Sequence, residues 1–195
     1  MTDKLILTDV DGVLLDWPEQ FHRWMAYRGY QRKEPDMPVY YQEQQYGLSQ
    51  REAKRQVGEF LGSAWMMGLP AYKDARQGVA RLVEAGYRFH AITAIDDDPY
   101  VTQLRMMNLQ DMFGKDAFVE LTCVGFDADK THALEPYRGS GLPWIEDKIA
   151  NAELGVEMGL SSYLLEHLYS ADYENERVVK VNDWNALCGK LLGVN

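Results

Sequence analysis

Cysteine, long hydrophobic runs and positive charge are all scarce in this sequence of 195 residues. The two cysteines, Cys123 and Cys188, have no metal-binding spacing, so we expect reduced thiols rather than a disulfide framework. No apolar run approaches the ~18 residues that a membrane-spanning helix requires. The first residues lead directly into an apolar run, without the charged and hydrophobic regions of a signal peptide. These absences predict a soluble cytoplasmic protein that does not associate with membranes.

The charge balance also limits the possible partners. Lys and Arg number 20 against 30 Asp and Glu, which gives a formal net charge of −10. Proteins that bind nucleic-acid polymers through the phosphate backbone need clustered Lys and Arg, so polymeric nucleic acid is an unlikely partner. A small anionic substrate held in a local pocket stays compatible with this composition. The chain is long enough for one domain, which at this size can bury about 70% of its unfolded surface.

Apolar runs and helical patterns alternate along most of the chain. The predicted strands are 5–7, 87–93, 118–124, 143–145, 161–165 and 178–181. The predicted helices between and after them are 71–86, 99–109, 131–137, 150–158 and 184–192. This alternation predicts a three-layer α/β fold, in which helices cover both faces of a parallel sheet.

The segment between the first and second predicted strands has a different texture. It is rich in Gln, Tyr, Arg and Glu, with apolar residues at helical spacing and no convincing strand. Ser49 and Glu52 form a capping-box pattern that opens a helix ending near Leu61. We interpret 17–69 as a helical cap insertion, and 1–16 together with 70–195 as the core domain.

The residues that follow successive strands form a chemically coherent set. Ligands of such folds bind beyond the carboxyl ends of the strands. The side chains there are two acids two residues apart, a hydroxyl, a lysine and a pair of acids: Asp9 and Asp11, Thr93, Lys130, and Glu146 and Asp147. Phosphoryl transfer needs this combination. One carboxylate of the first pair can attack phosphorus, while the other protonates the leaving oxygen.

Cations complete this interpretation of the site. Carboxylates close to a phosphate repel it, and Mg²⁺ held by one or two of them offsets that repulsion. Asp147 would be the second carboxylate ligand. Lys130 and the Thr93 hydroxyl would hold the phosphoryl oxygens. Glu146 has two possible roles, as a direct metal ligand or as a support for Asp147 or the lysine.

Four segments resemble the four motifs of the haloacid-dehalogenase superfamily of aspartate-nucleophile phosphohydrolases: LILTDVDGVLLDW, AITA, DADK and WIEDK. The resemblance implies that Asp9 is the nucleophile and Asp11 the general acid and base. It implies Mg²⁺ bound by Asp9, the Asp11 backbone carbonyl and Asp147. The phosphate cradle would be Thr93, the Ala94 N–H and Lys130. The helical insertion falls at the family's C1 cap position.

Further segments resemble the 5′(3′)-deoxyribonucleotidase family within this superfamily: DGVLLDW, VYYQEQQYGLS and VVKVNDWNALCGKLL. This resemblance implies a deoxyribonucleoside monophosphate as substrate. Aromatic residues would pack around the base, by position Trp17, Tyr40, Tyr41 and Trp65. The chain departs from that family at Ala94, where the family has Ser, and at Glu146, where it has Asp. These departures leave the base preference open.

Several alternatives remain at the level of sequence. The aromatic residues can equally be packing inside a small cap. The substrate can be another small phosphomonoester, such as a sugar phosphate. A polynucleotide 3′-phosphatase would need a basic groove, for which the insertion offers Arg23, Arg28, Arg32, Lys33, Arg51, Lys54 and Arg55. A non-enzymatic nucleotide- or protein-binding module is a further class, against which the intact Asp9 and Asp11 argue. The composition is compatible with a monomer or a homodimer.

Overall fold

The computed structural model describes residues 4–33, 41–96, 98–125 and 128–193. Its centre is a six-stranded sheet in which every pairing is parallel and the strand order is β3-β2-β1-β4-β5-β6. The strands are β1 Lys4–Thr8, β2 Tyr87–Ala94, β3 Phe118–Val124, β4 Pro143–Glu146, β5 Ser161–Leu165 and β6 Val178–Val181. The alternating sequence pattern therefore predicted the strands correctly.

Helices connect these strands. The α-helices of the described residues are α1 Trp17–Tyr27, α2 Gln42–Tyr46, α3 Gln50–Leu61, α4 Ala75–Glu84, α5 Pro99–Phe113, α6 Thr131–Leu134, α7 Ile149–Glu157 and α8 Trp184–Leu192. Short 3₁₀ helices cover Ala64–Gly68, Glu135–Tyr137 and Leu168–Ser170. None of the helices in these parts of the chain combines the length and apolar character needed to cross a bilayer.

The central strand β1 is buried on both faces, which makes the fold three-layered. Ile6 packs in one hydrophobic cluster with Val79 of α4 and Trp184 of α8. Leu7 points to the opposite face and packs in a second cluster, with Leu134 of α6. Successive residues of a strand face opposite sides, so an apolar run without alternation needs cover on both. The three-layer α/β prediction is confirmed.

Helix α4 begins at Ala75, four residues later than the sequence predicts. The residues before it pair with the loop after β1 instead of continuing the helix. The Tyr72 N–H donates to the Leu14 carbonyl at 2.8 Å, and the Asp16 N–H donates to the Pro70 carbonyl at the same distance. The backbone groups are thus satisfied by a tertiary partner, which a helix-period pattern cannot reveal.

The described residues within 17–69, which include helices α1, α2 and α3 and the 3₁₀ helix Ala64–Gly68, are here called the helical segment. Its centre is aromatic: Phe21 stacks on Trp17 at 4.6 Å between ring centroids and meets Phe60 edge-on at 5.3 Å. Phe21 and Phe60 are fully buried. The Ser49 hydroxyl accepts from the Glu52 N–H and caps α3, as the sequence predicts. The segment's core is continuous with the cluster around α4 and α8.

Candidate active site

Three neighbouring strands carry the acidic and hydroxyl side chains of the candidate site. Asp9 directly follows β1, Thr93 lies near the end of β2, and Asp147 directly follows β4. Because β1 lies between β2 and β4 and all three are parallel, these residues meet at one edge of the sheet. Asp9 is 7% exposed, Asp147 5% and Thr93 1%. The sequence positions predicted from strand ends are therefore brought together.

Lys130 joins two of the acids. It precedes α6, and its ammonium lies 2.7 Å from Asp9 Oδ1 and 2.6 Å from Glu146 Oε1. The side chain is fully buried, and the ammonium lies 5.2 Å from the centroid of the Trp144 ring. Burial opposes the charge, but the two carboxylates outweigh it and raise the pKa of Lys130. The lysine is a fixed cation at the centre of the cluster.

Glu146 has both carboxylate oxygens occupied by protein donors. Oε1 accepts from Lys130 and from the Asn151 side-chain amide at 2.8 Å. Oε2 accepts from the backbone N–H groups of Asp147 and Lys148, each at 3.1 Å. Of the two roles considered for Glu146, the geometry favours support of the lysine and of the turn that carries Asp147. It holds these partners from a position with no solvent exposure.

Asp147 approaches the chain at Gly12 very closely. A Cβ at Gly12 would lie 2.5 Å from Asp147 Oδ2, and Gly12 has a positive φ of 83°. Only glycine meets both conditions without strain. The same Asp147 oxygen accepts a short hydrogen bond from the Tyr169 hydroxyl. The Asp147 carboxylate therefore occupies the space that a Cβ at Gly12 would need, and the Tyr169 hydroxyl holds it there.

The carboxylates of Asp9, Glu146 and Asp147 repel one another in a buried environment. Burial raises the pKa of Asp9 to about 7, against the opposing charge of Lys130. Burial also raises the pKa of Asp147 to about 7, and the charge on Asp9 adds to the effect. Carboxylate oxygens of Asp9, Glu146 and Asp147 all lie within 4.8 Å of one another. Asp9 and Asp147 together fit a hard divalent cation, whose charge would offset the effect of burial on both carboxylates.

Asp11 faces the same cavity but has a different partner. Its carboxylate receives two hydrogen bonds from Arg105 of α5, from Nη1 to Oδ1 at 2.6 Å and from Nη2 to Oδ2 at 3.1 Å. The Arg105 side chain is fully buried, and the Asp11 side chain is 21% exposed. Burial raises the pKa of Asp11, and the guanidinium opposes this. Asp9 and Asp11 are thus held by different cations.

A cavity of about 700 Å³ opens over this cluster. The predicted site residues that line it are Asp9, Asp11, Trp17, Tyr41, Thr93, Ala94, Lys130 and Asp147. Its lining extends to the helical segment through Arg32, Gln42, Gln45, Gln50, Lys54, Val57 and Leu61. The volume is in the usual range of small-molecule sites, about 300–1,000 Å³.

The aromatic residues predicted to pack around a base differ in whether they line the cavity. Trp17 lines the cavity and stacks on Phe21, so its ring belongs both to the cavity wall and to the packing of the helical segment. Tyr41 also lines the cavity and is 53% exposed. Trp65 packs against Tyr27 at 5.7 Å, away from the residues of the cavity lining. Tyr40 lies outside the described residues.

Sequence reasoning missed several residues around the site. Arg105 shares the buried face of α5 with Val101 and Leu109, at a spacing of four, so a charge on an apolar stripe was a usable signal. Tyr169 and His167 come from a segment without a motif. His167 stacks on Tyr169, and its Nε2 donates to the Gly12 carbonyl at 2.8 Å.

Comparison with protein-family models and with curated proteins finds no match to this chain. Solved structures do match it over nearly its whole length. A haloacid dehalogenase-like family hydrolase from Streptococcus pneumoniae has a TM-score of 0.66 at 14% identity, with 98% of this chain and 100% of that chain covered. CbbY from Rhodobacter sphaeroides in complex with phosphate has a TM-score of 0.61 at 15% identity, with 95% and 96% covered.

The chain has a haloacid-dehalogenase-like fold. A third structure with this fold is the D,D-heptose 1,7-bisphosphate phosphatase from B. bronchiseptica, complexed with magnesium and phosphate. Its TM-score is 0.58 at 15% identity, with 97% of this chain and 98% of that chain covered. At such identities the similarity shows a shared fold, and an activity has to be argued from the residues of the site.

Proposed function

We propose that this protein is a Mg²⁺-dependent phosphomonoester hydrolase that works through an aspartyl-phosphate. The observation that carries the proposal is the buried pair of Asp9 and Asp147 beneath a cavity, at the carboxyl ends of the adjacent parallel strands β1 and β4, with the Lys130 ammonium bound to Asp9. A carboxylate, a fixed cation and a second carboxylate around one point are what phosphoryl transfer to an aspartate requires.

In the first half of the reaction, an Asp9 carboxylate oxygen attacks phosphorus. The bond from phosphorus to the ester oxygen breaks as the new bond to Asp9 forms, and Asp11 gives its proton to the leaving oxygen. The Lys130 ammonium, the Thr93 hydroxyl and the Ala94 N–H stabilise the phosphoryl oxygens, where negative charge accumulates. The product alcohol then leaves the cavity.

In the second half, water attacks the phosphorus of the aspartyl-phosphate. Asp11, now a carboxylate, accepts a proton from the water as the bond between Asp9 and phosphorus breaks. Inorganic phosphate leaves, and Asp9 is restored as a carboxylate while Asp11 is restored as an acid. The position of both acids on the cavity wall supports this division of roles.

Asp9, Asp147 and the backbone carbonyl of Asp11 would hold Mg²⁺. When bound, the ion offsets the repulsion between these carboxylates and a phosphate and polarises the phosphoryl oxygens. Glu146 would support the cluster through Lys130 rather than bind the ion, because protein donors occupy both of its oxygens. We further propose that the helical segment, 17–69, acts as the cap that keeps water from the reaction.

Deoxyribonucleoside monophosphates are the first substrate candidates within this proposal. Trp17 and Tyr41 contribute to the wall of the cavity, where an aromatic face could stack on a base. Trp17 is also held by Phe21 and Phe60, which would fix the orientation of its ring. Stacking of this kind would stabilise a nucleobase without selecting one base strongly.

Sugar phosphates are the second candidates, and two observations favour them. The lining contributed by the helical segment is rich in polar side chains, including Arg32, Gln42 and Lys54, which suit hydroxyl or anionic substituents. The similar structures also include proteins of this substrate class, among them CbbY with xylulose-1,5-bisphosphate and two heptose bisphosphate phosphatases.

A polynucleotide substrate has less support. Arg23 pairs with Glu19, Arg28 with Glu59, and Arg55 with Glu52 and Glu59. These arginines are therefore locally neutralised and do not form a basic groove.

The test is phosphate release from a panel, with Mg²⁺ and with EDTA. The panel contains deoxy- and ribonucleoside 5′- and 3′-monophosphates, sugar mono- and bisphosphates and a 3′-phosphorylated oligonucleotide. We expect metal-dependent turnover that falls at least ~10³-fold in Asp9→Asn, because the nucleophile is lost. Full turnover by Asp9→Asn would overturn the proposal. Binding without release of phosphate from any compound would favour a binding module instead.

A further inference from the structure

We propose that Arg105 is a positioning residue for the general acid and base of this site. Its hydrogen bonds to Asp11 would fix the carboxyl group in the position from which it gives a proton to the leaving oxygen and later takes one from water. The proposal rests on the phosphatase function argued above, and goes beyond it by assigning a role to a residue of α5 that has no place in the four motifs.

The location of Arg105 excludes direct contact with a substrate in this structure. Its side chain is fully buried and is absent from the lining of the cavity, whereas Asp11 is part of that lining. The guanidinium therefore lies behind the carboxylate, on the side away from the cavity. Any effect of Arg105 on the reaction has to pass through Asp11.

The form of the contact suits orientation rather than simple neutralisation. A guanidinium presents its N–H groups in a rigid plane, and two parallel hydrogen bonds fix both the position and the rotation of a carboxylate. The distances of 2.6 and 3.1 Å engage both oxygens of Asp11. A lysine would supply the same charge as a point donor and leave the rotation free.

Stability alone gives no reason for an arginine here. Arg105 is fully buried between Val101 and Leu109 on the apolar face of α5. Its Nε has no hydrogen-bond partner within the described part of the chain, and such an orphaned donor costs about 1–3 kcal/mol. Replacing both partners of a buried ion pair by apolar side chains is often neutral or stabilising, whereas removing Arg105 alone would leave the Asp11 carboxylate without its counter-charge. The ion pair with Asp11 is the contact that an apolar residue at position 105 could not make.

The leaving-group dependence of the reaction tests the proposal. Alkyl phosphates need a proton on the departing oxygen, whereas p-nitrophenolate leaves without one. For Arg105→Met, we expect kcat/KM, which includes only the steps up to release of the alcohol, to fall about 100-fold on the best alkyl phosphate of the panel and much less on p-nitrophenyl phosphate. The second half of the reaction, in which Asp11 acts as base for both substrates, should slow equally for the two. For Arg105→Lys, we expect a smaller fall with the same preference, because the charge remains but the fork is lost.

Two further variants separate positioning from damage to the fold. Asn108→Leu removes another buried polar side chain of α5, which donates to the Met67 carbonyl. It should lower stability and leave the ratio of the two substrates unchanged. In an Asp11→Asn background, Arg105→Met should have little further effect, because Arg105 would no longer have an acid to orient.

Three outcomes would overturn the inference: equal losses of kcat/KM on both substrates in Arg105→Met, a raised KM at unchanged kcat, or a full additional loss in the double variant. If Arg105→Met does not fold, Arg105→Lys decides the question by the same ratio. Failure of the underlying function would look different, since the unmodified protein would then release no phosphate from any alkyl compound.

Discussion

The hydroxyl of Tyr169 is one of the contacts that hold the acidic cluster in place. It donates to the Asp147 oxygen that lies next to Gly12. A partner of this kind orients a ligand before the ion arrives, and its removal typically costs 10–100-fold in metal affinity. The orientation of Asp147 is thus set by a side chain 22 residues further along the chain.

We therefore expect Tyr169→Phe to need about tenfold more Mg²⁺ than the unmodified protein. Two measurements check this: the Mg²⁺ concentration for half-maximal phosphate release, and the rise in melting temperature as Mg²⁺ is added in the absence of substrate. Tyr173→Phe is the matched control, because that hydroxyl bonds the surface carboxylate of Glu153. Equal Mg²⁺ requirements in both variants would refute the role of Tyr169.

His22 gives a second residue-scale prediction, which concerns pH and stability. Burial and the charge of Arg32 lower the pKa of His22 to about 4, below the ordinary value of 6.5. Between pH 6.5 and 4 the unfolded chain therefore binds a proton that the folded chain does not, and stability falls as pH falls. The Nδ1 atom of His22 also lies 2.7 Å from the Tyr46 hydroxyl.

His22→Asn keeps a polar group near Tyr46 and removes the titration. We expect it to reduce the loss of unfolding free energy between pH 6.5 and 4 by about 1–2 kcal/mol, less than the full shift implies because the ring is partly exposed. Urea unfolding at a series of pH values measures this. The exposed His132 serves as control, and the idea fails if His22→Asn and His132→Asn give the same slope.

At the scale of elements, the close approach of α7 to the sheet holds part of the site. A Cβ at Gly155 of α7 would lie 2.3 Å from Trp144 Cδ1 and 2.7 Å from Ser162 Oγ. The Trp144 ring cannot easily move away, because it is fully buried and its indole N–H donates to the Asn151 carbonyl at 3.0 Å. Asn151 in turn supports Glu146, so glycine at 155 lets the helix come close enough to make that contact.

We expect Gly155→Ala to destabilise the protein by about 1–3 kcal/mol, because the added methyl group overpacks this contact. Gly58→Ala is the matched control in α3, where nothing lies within 4 Å of the added Cβ. It should instead stabilise the protein by up to ~1 kcal/mol through helix propensity. Denaturant titration compares the two, and a shift of the same sign in both would contradict the packing argument.

At the scale of the whole molecule, one hydrophobic cluster spans the helical segment and one face of the sheet. Phe60 of α3 and Trp184 of α8 belong to the same cluster of buried residues. Apolar contact between the helical segment and the sheet couples their stability, because unfolding of either part would expose apolar surface of the other. We therefore expect a single cooperative unfolding transition.

Phe60→Ala tests this coupling, and should lower the unfolding free energy by about 3–5 kcal/mol. Hydrogen exchange followed by mass spectrometry would show peptides of the helical segment and of the sheet losing protection at the same denaturant concentration. Val119→Ala on the exposed edge strand β3 is the control and should change little. Loss of protection confined to the helical segment would show two independent folding units instead.

The layered architecture, and the edge of the sheet where chemistry can occur, follow from the pattern of residues along the chain. Local periodicity specifies strands and helices, and parallel topology then brings the strand ends together. Asp9, Thr93 and Asp147 could be predicted from this logic. The start of α4 could not, because residues 70–72 pair with the loop after β1.

The hydrogen-bond and ion-pair partner of each carboxylate depends on contacts between distant parts of the chain. Arg105 and Asp11 are 94 residues apart, and no local pattern encodes their contact. The same holds for Tyr169 on Asp147 and for Asn151 on Glu146, whereas support of the lysine by Glu146 was one of the two roles considered from the sequence. The physical reason is that a buried charge must find its counter-charge in space, and the fold alone determines which residues are near enough to supply it.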